Sequence, residues 1–307
     1  PSNPFNQPNS SSSSFILVGV PSLEAFPTCL GLLFFSGYVI TLVGNGVVLL
    51  AIGLNRSLRA PFHCLLAMLA VIDVVMATSV IPKMLSVFWM NSVEISYTAC
   101  FVQMFLVHST TSEESGVLLA MAVDRYVAIC HPLRYQIILN HHTIAQIGLA
   151  IMLRALLFMV PLAAMVTNLP YCRSRVVPHS YCEHMAVAKL ACADPRPSGL
   201  YSMAGSSLIV GMDMALIAVS YGMILKTVLG KQWCRKAFST CGCHICVMLL
   251  YYIPGIVSIY AQQFDSGIST RARVLLADLY LILPTMLNPI VYSMRTRQIR
   301  QAVLRAL

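Results

Sequence analysis

The chain has 307 residues, of which 58% are hydrophobic and only 10% charged, with a formal charge of +9. Soluble domains carry about 25% charged residues, so this composition excludes a pair of soluble domains and fits one membrane domain built from spans of about 20 residues. The positive charge invites a nucleic-acid partner, but it is spread through short connections between apolar runs, which points to a lipid bilayer and away from nucleic acid.

Residues 1–25 form an N-terminal tail, expected to be extracellular. Its first 14 residues are Pro- and Ser-rich and have the composition of a disordered segment. No basic stretch precedes an apolar core, so no cleaved signal peptide is expected. Asn9-Ser10-Ser11 is a glycosylation sequon and makes Asn9 the candidate acceptor. Asn55-Arg56-Ser57 also matches, but it lies in a short basic loop on the other side.

Seven apolar segments follow within residues 26–294, at 26–54, 59–87, 97–130, 142–166, 198–229, 236–262 and 272–294. They predict an all-α membrane protein, a bundle of seven transmembrane helices. Pro254, Pro284 and Pro289 fall inside the last two segments as kinks that a packed bundle can absorb. Residues 295–307 place Ile299, Val303 and Leu307 four apart with arginines on the opposite face, the pattern of a short amphipathic helix on the cytoplasmic membrane surface.

Lys and Arg set the orientation. The first, third and fifth connections and the C-terminal tail carry twelve basic residues against one acid, Asp124; the opposite side carries seven against five. The expected arrangement has the N-terminus outside and the C-terminus in the cytoplasm. The outer loop at about 167–197 holds Cys172, Cys182 and Cys192, and Cys100 opens the third segment on the same side. Four cysteines allow three pairings. A Cys100–Cys182 bond would pin the loop over the bundle as a lid, and Cys172–Cys192 would then close the loop on itself; this is the pairing expected.

Polar residues inside apolar runs are candidates for function. Asn45, Asp73, Glu114, Asp213 and Asn288 lie there, with Arg154 as a basic residue able to partner one of the acids. Glu114 precedes Arg125 by eleven residues, about 16 Å along a helix. Asp73 belongs at similar depth, and two carboxylates there repel unless a cation or a proton intervenes. The adjacent Asp124–Arg125 pair ends the third segment. A cation held by its carboxylate can act as a two-state element; an arginine snorkelling at the helix end is the other reading.

The run from Met121 to Tyr135, together with Gly44-Asn45, Pro61-Phe-His-Cys64, Leu69-Ala-Val-Ile-Asp73, Ser220-Tyr221, Lys236-Ala-Phe-Ser-Thr-Cys-Gly242 and Asn288-Pro-Ile-Val-Tyr292, occurs in order at the matching spans. The chain thereby resembles the odorant receptors among the rhodopsin-like G-protein-coupled receptors. Leu169-Pro-Tyr-Cys172 and the long outer loop resemble the class I, fish-like branch. The resemblance implies a switch in which Arg125, held at rest by Asp124 beside Tyr126, is released to meet Tyr221, Tyr292 and a heterotrimeric G protein of the Gs or olfactory type. It implies a sodium ion on Asp73 and Glu114. It also implies an odorant site in the outer half of the bundle. His108, Thr111 and Ser112 share one helix face there, with Met203, Gly205 and Ser206 on the fifth segment and Tyr252, Ser258, Ile259 and Gln263 on the sixth. His108 taken alone is equally a packed core histidine.

Two departures bear on the ligand. Many class I relatives read Thr-His-Arg-Phe where this chain has Ala261-Gln262-Gln263-Phe264, and that arginine is taken to grip a carboxylate; the amide of Gln263 cannot make the same charge-assisted bond. Asp278 stands where relatives commonly have Asn. The expectation is a pocket that prefers neutral or basic odorants to fatty acids. A competing class, an ion- or proton-coupled transporter or channel, would turn the buried acids into an ion path, but no inverted repeat or pair of broken helices is visible. No metal-dependent or nucleophile motif supports an enzyme.

Overall fold

The structure, a computed structural model, describes residues 14–20, 27–55, 58, 60–229, 234–263 and 267–295; at 27, 229, 234–240, 243, 262–263 and 293–295 it describes the backbone alone. In chain order it contains β1 (Ser14–Leu17), α1 (Pro27–Leu54), α2 (Pro61–Met90), β2 (Glu94–Ser96), α3 (Tyr97–Cys130), α4 (Tyr135–Ile138), α5 (His141–Thr167), β3 (Val176–Val177), α6 (His184–Ala188), α7 (Arg196–Leu229), α8 (Cys234–Gln263) and α9 (Thr270–Arg295). The seven long helices match the seven apolar segments. Among the described residues, six are by themselves long and apolar enough to cross a membrane; α3 joins them only when taken together with the bent segment that follows it, for a total of seven. α3 carries Glu113, Glu114, Asp124 and Arg125 because it runs through the middle of the bundle, packed against α2, α5, α7 and α8.

Local chemistry fixes the helix ends. Pro61 opens α2, where its missing N–H is no loss. Asn91 ends α2 in a left-handed conformation, φ 50°, and its N–H bonds the Ser86 carbonyl. Ser96 and Asn140 cap α3 and α5 by accepting from the N–H groups of Ala99 at 3.2 Å and Thr143 at 2.9 Å. α3 stops at Cys130 because Pro132 cannot continue it; a 3-10 turn over Pro132–Arg134 leads into α4.

The apolar side chains are inverted relative to a water-soluble protein. Leu32, Leu33 and Leu50 on α1, Leu153 and Leu157 on α5, and Leu200 and Leu208 on α7 face outward, while Asn45, Asp73, Glu114, Asp213 and Asn288 are buried. Such a surface is stable against hydrocarbon. Inside, polar groups join the helices. Pro289 has no N–H, which frees the carbonyl four residues earlier; Asn45 Nδ2 donates to that Thr285 carbonyl at 3.2 Å and ties α1 to α9. Gly44 makes this approach possible, since a Cβ there would stand 2.9 Å from the Pro289 ring.

The sequence reading assigned no strand, yet three short ones form a sheet at one end of the bundle. β1 lies between β2, to which it is antiparallel, and β3, to which it is parallel. Phe15 is fully buried there among Tyr97, Phe101 and Tyr171. The last residues of what reads as a polar tail are thus part of the packed structure. The same end carries both disulfides in the expected pairing, Cys100–Cys182 and Cys172–Cys192, with Cα–Cα separations of 5.4 and 5.7 Å. Asn9 and the amphipathic run at 296–307 lie outside the described residues.

Candidate functional site

The disulfide from Cys100 fixes Cys182 over the bundle, and Gln103 on α3 reinforces it. Gln103 Oε1 accepts from the Cys182 N–H at 2.9 Å while its Nε2 donates to the Ser79 carbonyl on α2 at 2.8 Å. The next residues, Glu183 and His184, are thereby turned into a cavity. The cavity spans about 970 Å³ of atom-free space counted out to its mouth. α3 lines it with Val107, His108, Thr111, Ser112 and Ser115, α7 with Ser202, Ser206, Ile209 and Val210, and α8 with Tyr251, Tyr252, Gly255, Ile256, Ser258 and Ile259. Phe158, Tyr181, Tyr280 and Leu281 complete the wall. No Lys or Arg is among the described lining residues.

Glu183 Oε2 accepts from the Ala186 N–H at 2.7 Å and caps α6. Burial raises its carboxyl above the ordinary range, and the neighbouring backbone N–H groups and Lys189 pull it back. The His184 ring meets His108 edge-on at 6.2 Å between centroids. Burial, with His108 adjacent, pushes His184 down to about 3, and burial does the same to His179, so both loop histidines are neutral at physiological pH. His108 Nε2, His184 Nε2 and Ser112 Oγ are buried without a hydrogen-bond partner.

Beneath the cavity a polar network crosses four helices. Ser115 Oγ donates to Asp213 Oδ2 at 2.6 Å and lies 3.0 Å from the Tyr252 hydroxyl. Arg154 Nη1 pairs with both Asp213 oxygens at 2.7 and 2.9 Å, and its Nη2 donates to the Ser112 carbonyl at 2.7 Å. Gly116 leaves room for the guanidinium; a Cβ there would stand 2.9 Å from Arg154 Nη2. Arg154 therefore partners Asp213, one of the acids open to it from the sequence.

Further along α3, Glu114 approaches Asp73. Asn288 Nδ2 stands between them, 3.1 Å from both Asp73 oxygens and 3.3 Å from Glu114 Oε1. One amide cannot neutralise two buried carboxylates, so the donor set has the chemistry of a site for one small hard cation or for a proton.

At the far end of α3, Asp124 is fully buried and both of its oxygens are matched. Oδ2 accepts from Arg125 Nε at 3.1 Å and Nη2 at 2.8 Å; Oδ1 accepts from the Tyr135 hydroxyl at 2.6 Å. Burial, then the Asp124 charge, hold the Tyr135 phenol well above its ordinary value, so it remains a donor. The Arg125 guanidinium lies over the Phe62 ring at 4.0 Å. Tyr221 is bonded instead to His244 Nδ1 at 2.7 Å, and the Tyr292 hydroxyl lies 4.0 Å from Met121 Sδ. Tyr126 points to His131, 3.3 Å away. Asp124 and Arg125 are thus paired with each other, and neither Tyr221 nor Tyr292 bonds Arg125.

Of the residues singled out in the sequence, His108, Thr111, Ser112, Ser206, Tyr252, Ser258 and Ile259 line one cavity. Met203 and Gly205 do not. Gly205 faces Phe158, whose ring a Cβ would meet at 2.1 Å. The Gln263 side chain lies outside the described residues. Asp278 corrects the expected anion in the wall: it is buried outside the lining and accepts from Ser180 of the loop, so the carboxylate in the wall belongs to Glu183. Glu183, His184, Tyr135, Phe62 and His244 carry parts of the site that sequence reasoning missed. Tyr135 and Phe62 had a signal, as the last residue of the Met121–Tyr135 run and the second of Pro61-Phe-His-Cys64.

A family model described as olfactory receptor matches residues 32–307. Human Olfactory receptor 52I2 is 49% identical over 97% of this chain and 87% of its own length. Human Olfactory receptor 52I1 is 48% identical over 97% and 94%, and human Olfactory receptor 51E2 is 43% identical over 96% and 93%. With this likeness over nearly the full length, and with a bundle whose cavity and charge pair share one central helix, the chain belongs to the olfactory receptor family: a multi-pass, class I odorant receptor that works with G proteins and is not an enzyme.

Proposed function

We propose that this receptor takes a small neutral or basic odorant into the cavity beneath the disulfide-pinned loop and activates a Gs-type olfactory G protein, raising cAMP. The observation that carries the ligand class is the cavity wall, which includes the Glu183 carboxylate and, among its described residues, no Lys or Arg. An aliphatic acid would find no cation there. The basic connections support an orientation with the disulfide end outside the cell and Arg125 at the cytoplasmic face. Ligand binding shifts the bundle toward a state in which Arg125 leaves Asp124 and meets Tyr221, Tyr292 and the inserted G protein. Asp73 and Glu114 would hold a sodium ion in the resting state, where its charge would offset the two carboxylates.

The test is a chemically broad odorant panel, with acids, alcohols and amines in parallel, on cells expressing this chain with an olfactory Gs-type α subunit. Alcohols or amines should raise cAMP and Arg125→Ala should abolish the response at equal surface expression. A response confined to aliphatic acids would contradict the ligand class, and a response that survives Arg125→Ala would contradict the switch.

A further inference from the structure

The cavity wall has unused hydrogen-bonding capacity at two levels. Thr111 Oγ1 already donates to the Val107 carbonyl at 2.7 Å, and Ser206 Oγ to the Ser202 carbonyl at 2.7 Å. Tyr251 donates to the Thr111 carbonyl at 2.6 Å, Ser115 to Asp213 at 2.6 Å, and the Tyr252 hydroxyl bonds Ser115 at 3.0 Å. Among the fully buried polar atoms of the lining residues, those without a partner are His108 Nε2 and His184 Nε2, whose rings meet edge-on at 6.2 Å, and Ser112 Oγ. Asp278 Oδ2 is also unmatched, but it is not in the wall.

Ser112 follows His108 by four residues on α3, so the two levels are one helical turn, about 6 Å, apart. Around them the wall is apolar, with Phe158, Ile209, Val210, Ile256 and Ile259. A hydroxyl both donates and accepts, so one hydroxyl can satisfy the two imidazoles in opposite roles when one presents Nε2–H and the other a bare Nε2. A carboxylate in the same place would face the Glu183 carboxylate without a cation. An ammonium only donates: it could bond the Glu183 carboxylate, but beside the imidazoles it would leave any Nε2–H unmatched.

Resting on the reading of this cavity as the odorant site, we propose that the preferred ligand is an uncharged aliphatic molecule with two hydroxyl-type groups about four carbons apart, one held by His108 and His184 and the other by Ser112. The spacing, and not the chain length alone, sets potency.

Four eight-carbon compounds test this on the full-length receptor: 1,5-octanediol, 1-octanol, octanoic acid and octylamine. Each is read by cAMP in cells and by thermal stabilisation of the purified receptor. The diol should act at about tenfold lower concentration than 1-octanol, although it is the less hydrophobic of the two. Ser112→Ala should bring the diol back to the potency of 1-octanol, and His108→Phe should weaken both alcohols. The proposal is overturned if octanoic acid, octylamine or 1-octanol matches the diol, if Ser112→Ala keeps the diol's advantage, or if none of the four stabilises the purified receptor. Stabilisation by the diol without a cAMP response supports the binding inference and counts instead against the coupling to a Gs-type protein.

Discussion

The cavity and the Asp124–Arg125 pair sit on the same helix, with opposite states of satisfaction. In the cavity, His108 Nε2, His184 Nε2 and Ser112 Oγ are buried with nothing to bond. At the other end, both oxygens of Asp124 are matched by Arg125 and Tyr135. An unmatched buried polar atom costs about 1–3 kcal/mol, and a molecule that supplies the missing partner recovers that energy. A matched charge pair gains nothing from a newcomer until it is broken. The first arrangement suits binding and the second suits a latch. Between them, the Ser115–Asp213–Arg154 network and the Asp73–Asn288–Glu114 cluster hold α3 to its neighbours.

The strongest way to break this contrast is to unmatch the network under the cavity. Asp213→Ala leaves the partly buried Arg154 guanidinium without its carboxylate, which should destabilise the purified receptor by at most about 3–5 kcal/mol. The double variant Asp213→Leu with Arg154→Met removes both charges and should recover most of that loss in the same melting experiment. A single variant that melts like the parent would mean that the ion pair does not hold α5 to α7.

Cys182→Ser acts on the lid. Freed from Cys100, the loop no longer fixes Glu183 and His184 in the wall, and losing a native disulfide typically removes about 2–5 kcal/mol. Surface staining should fall severely, and any receptor that reaches the surface should respond weakly to odorants that activate the parent.

Much of this architecture is legible in the residues, for a physical reason. A membrane span must satisfy its own backbone, so it is long, continuous and apolar. The segment read at 97–130 coincides with α3, and that at 198–229 differs from α7 by two residues at one end. The sheet is hidden because its strands have two to four residues and exist only through pairing of distant segments. Thr111 and Ser112 were found because a helix keeps fixed faces. Glu183 and His184 were missed because a loop has no such period; the disulfide and Gln103 decide which way it turns. Asp278 lies outside the lining of this cavity, and nothing in its own helix shows that Ser180 of the loop would cover it.

A smaller effect comes from the loop histidines. His179 and His184 have values near 3 in the folded receptor, against about 6.5 when unfolded. The unfolded chain therefore takes up protons first, and stability is complete above pH 6.5 and declines as the pH falls below it. The loss grows by at most about 1.4 kcal/mol per pH unit for each histidine. Melting of the purified receptor should show lower stability at pH 5.5 than at 7.5, with a smaller difference in His184→Gln.

The central claim is that cavity and latch are two ends of one equilibrium. Tyr135→Phe tests it most directly, because it removes a 2.6 Å hydrogen bond from Asp124 and touches no residue of the cavity wall. Ser112 and Arg125 are thirteen residues apart on α3, about 20 Å. If the two ends are coupled, loosening the latch raises activity without ligand and tightens odorant binding together, since coupling between sites is reciprocal. The measurement is the affinity of an activating odorant for purified parent and Tyr135→Phe receptors, alongside ligand-independent cAMP. The variant should bind the odorant more tightly and show raised basal cAMP; raised basal cAMP with unchanged affinity would mean that the cavity and the Asp124–Arg125 pair are not coupled.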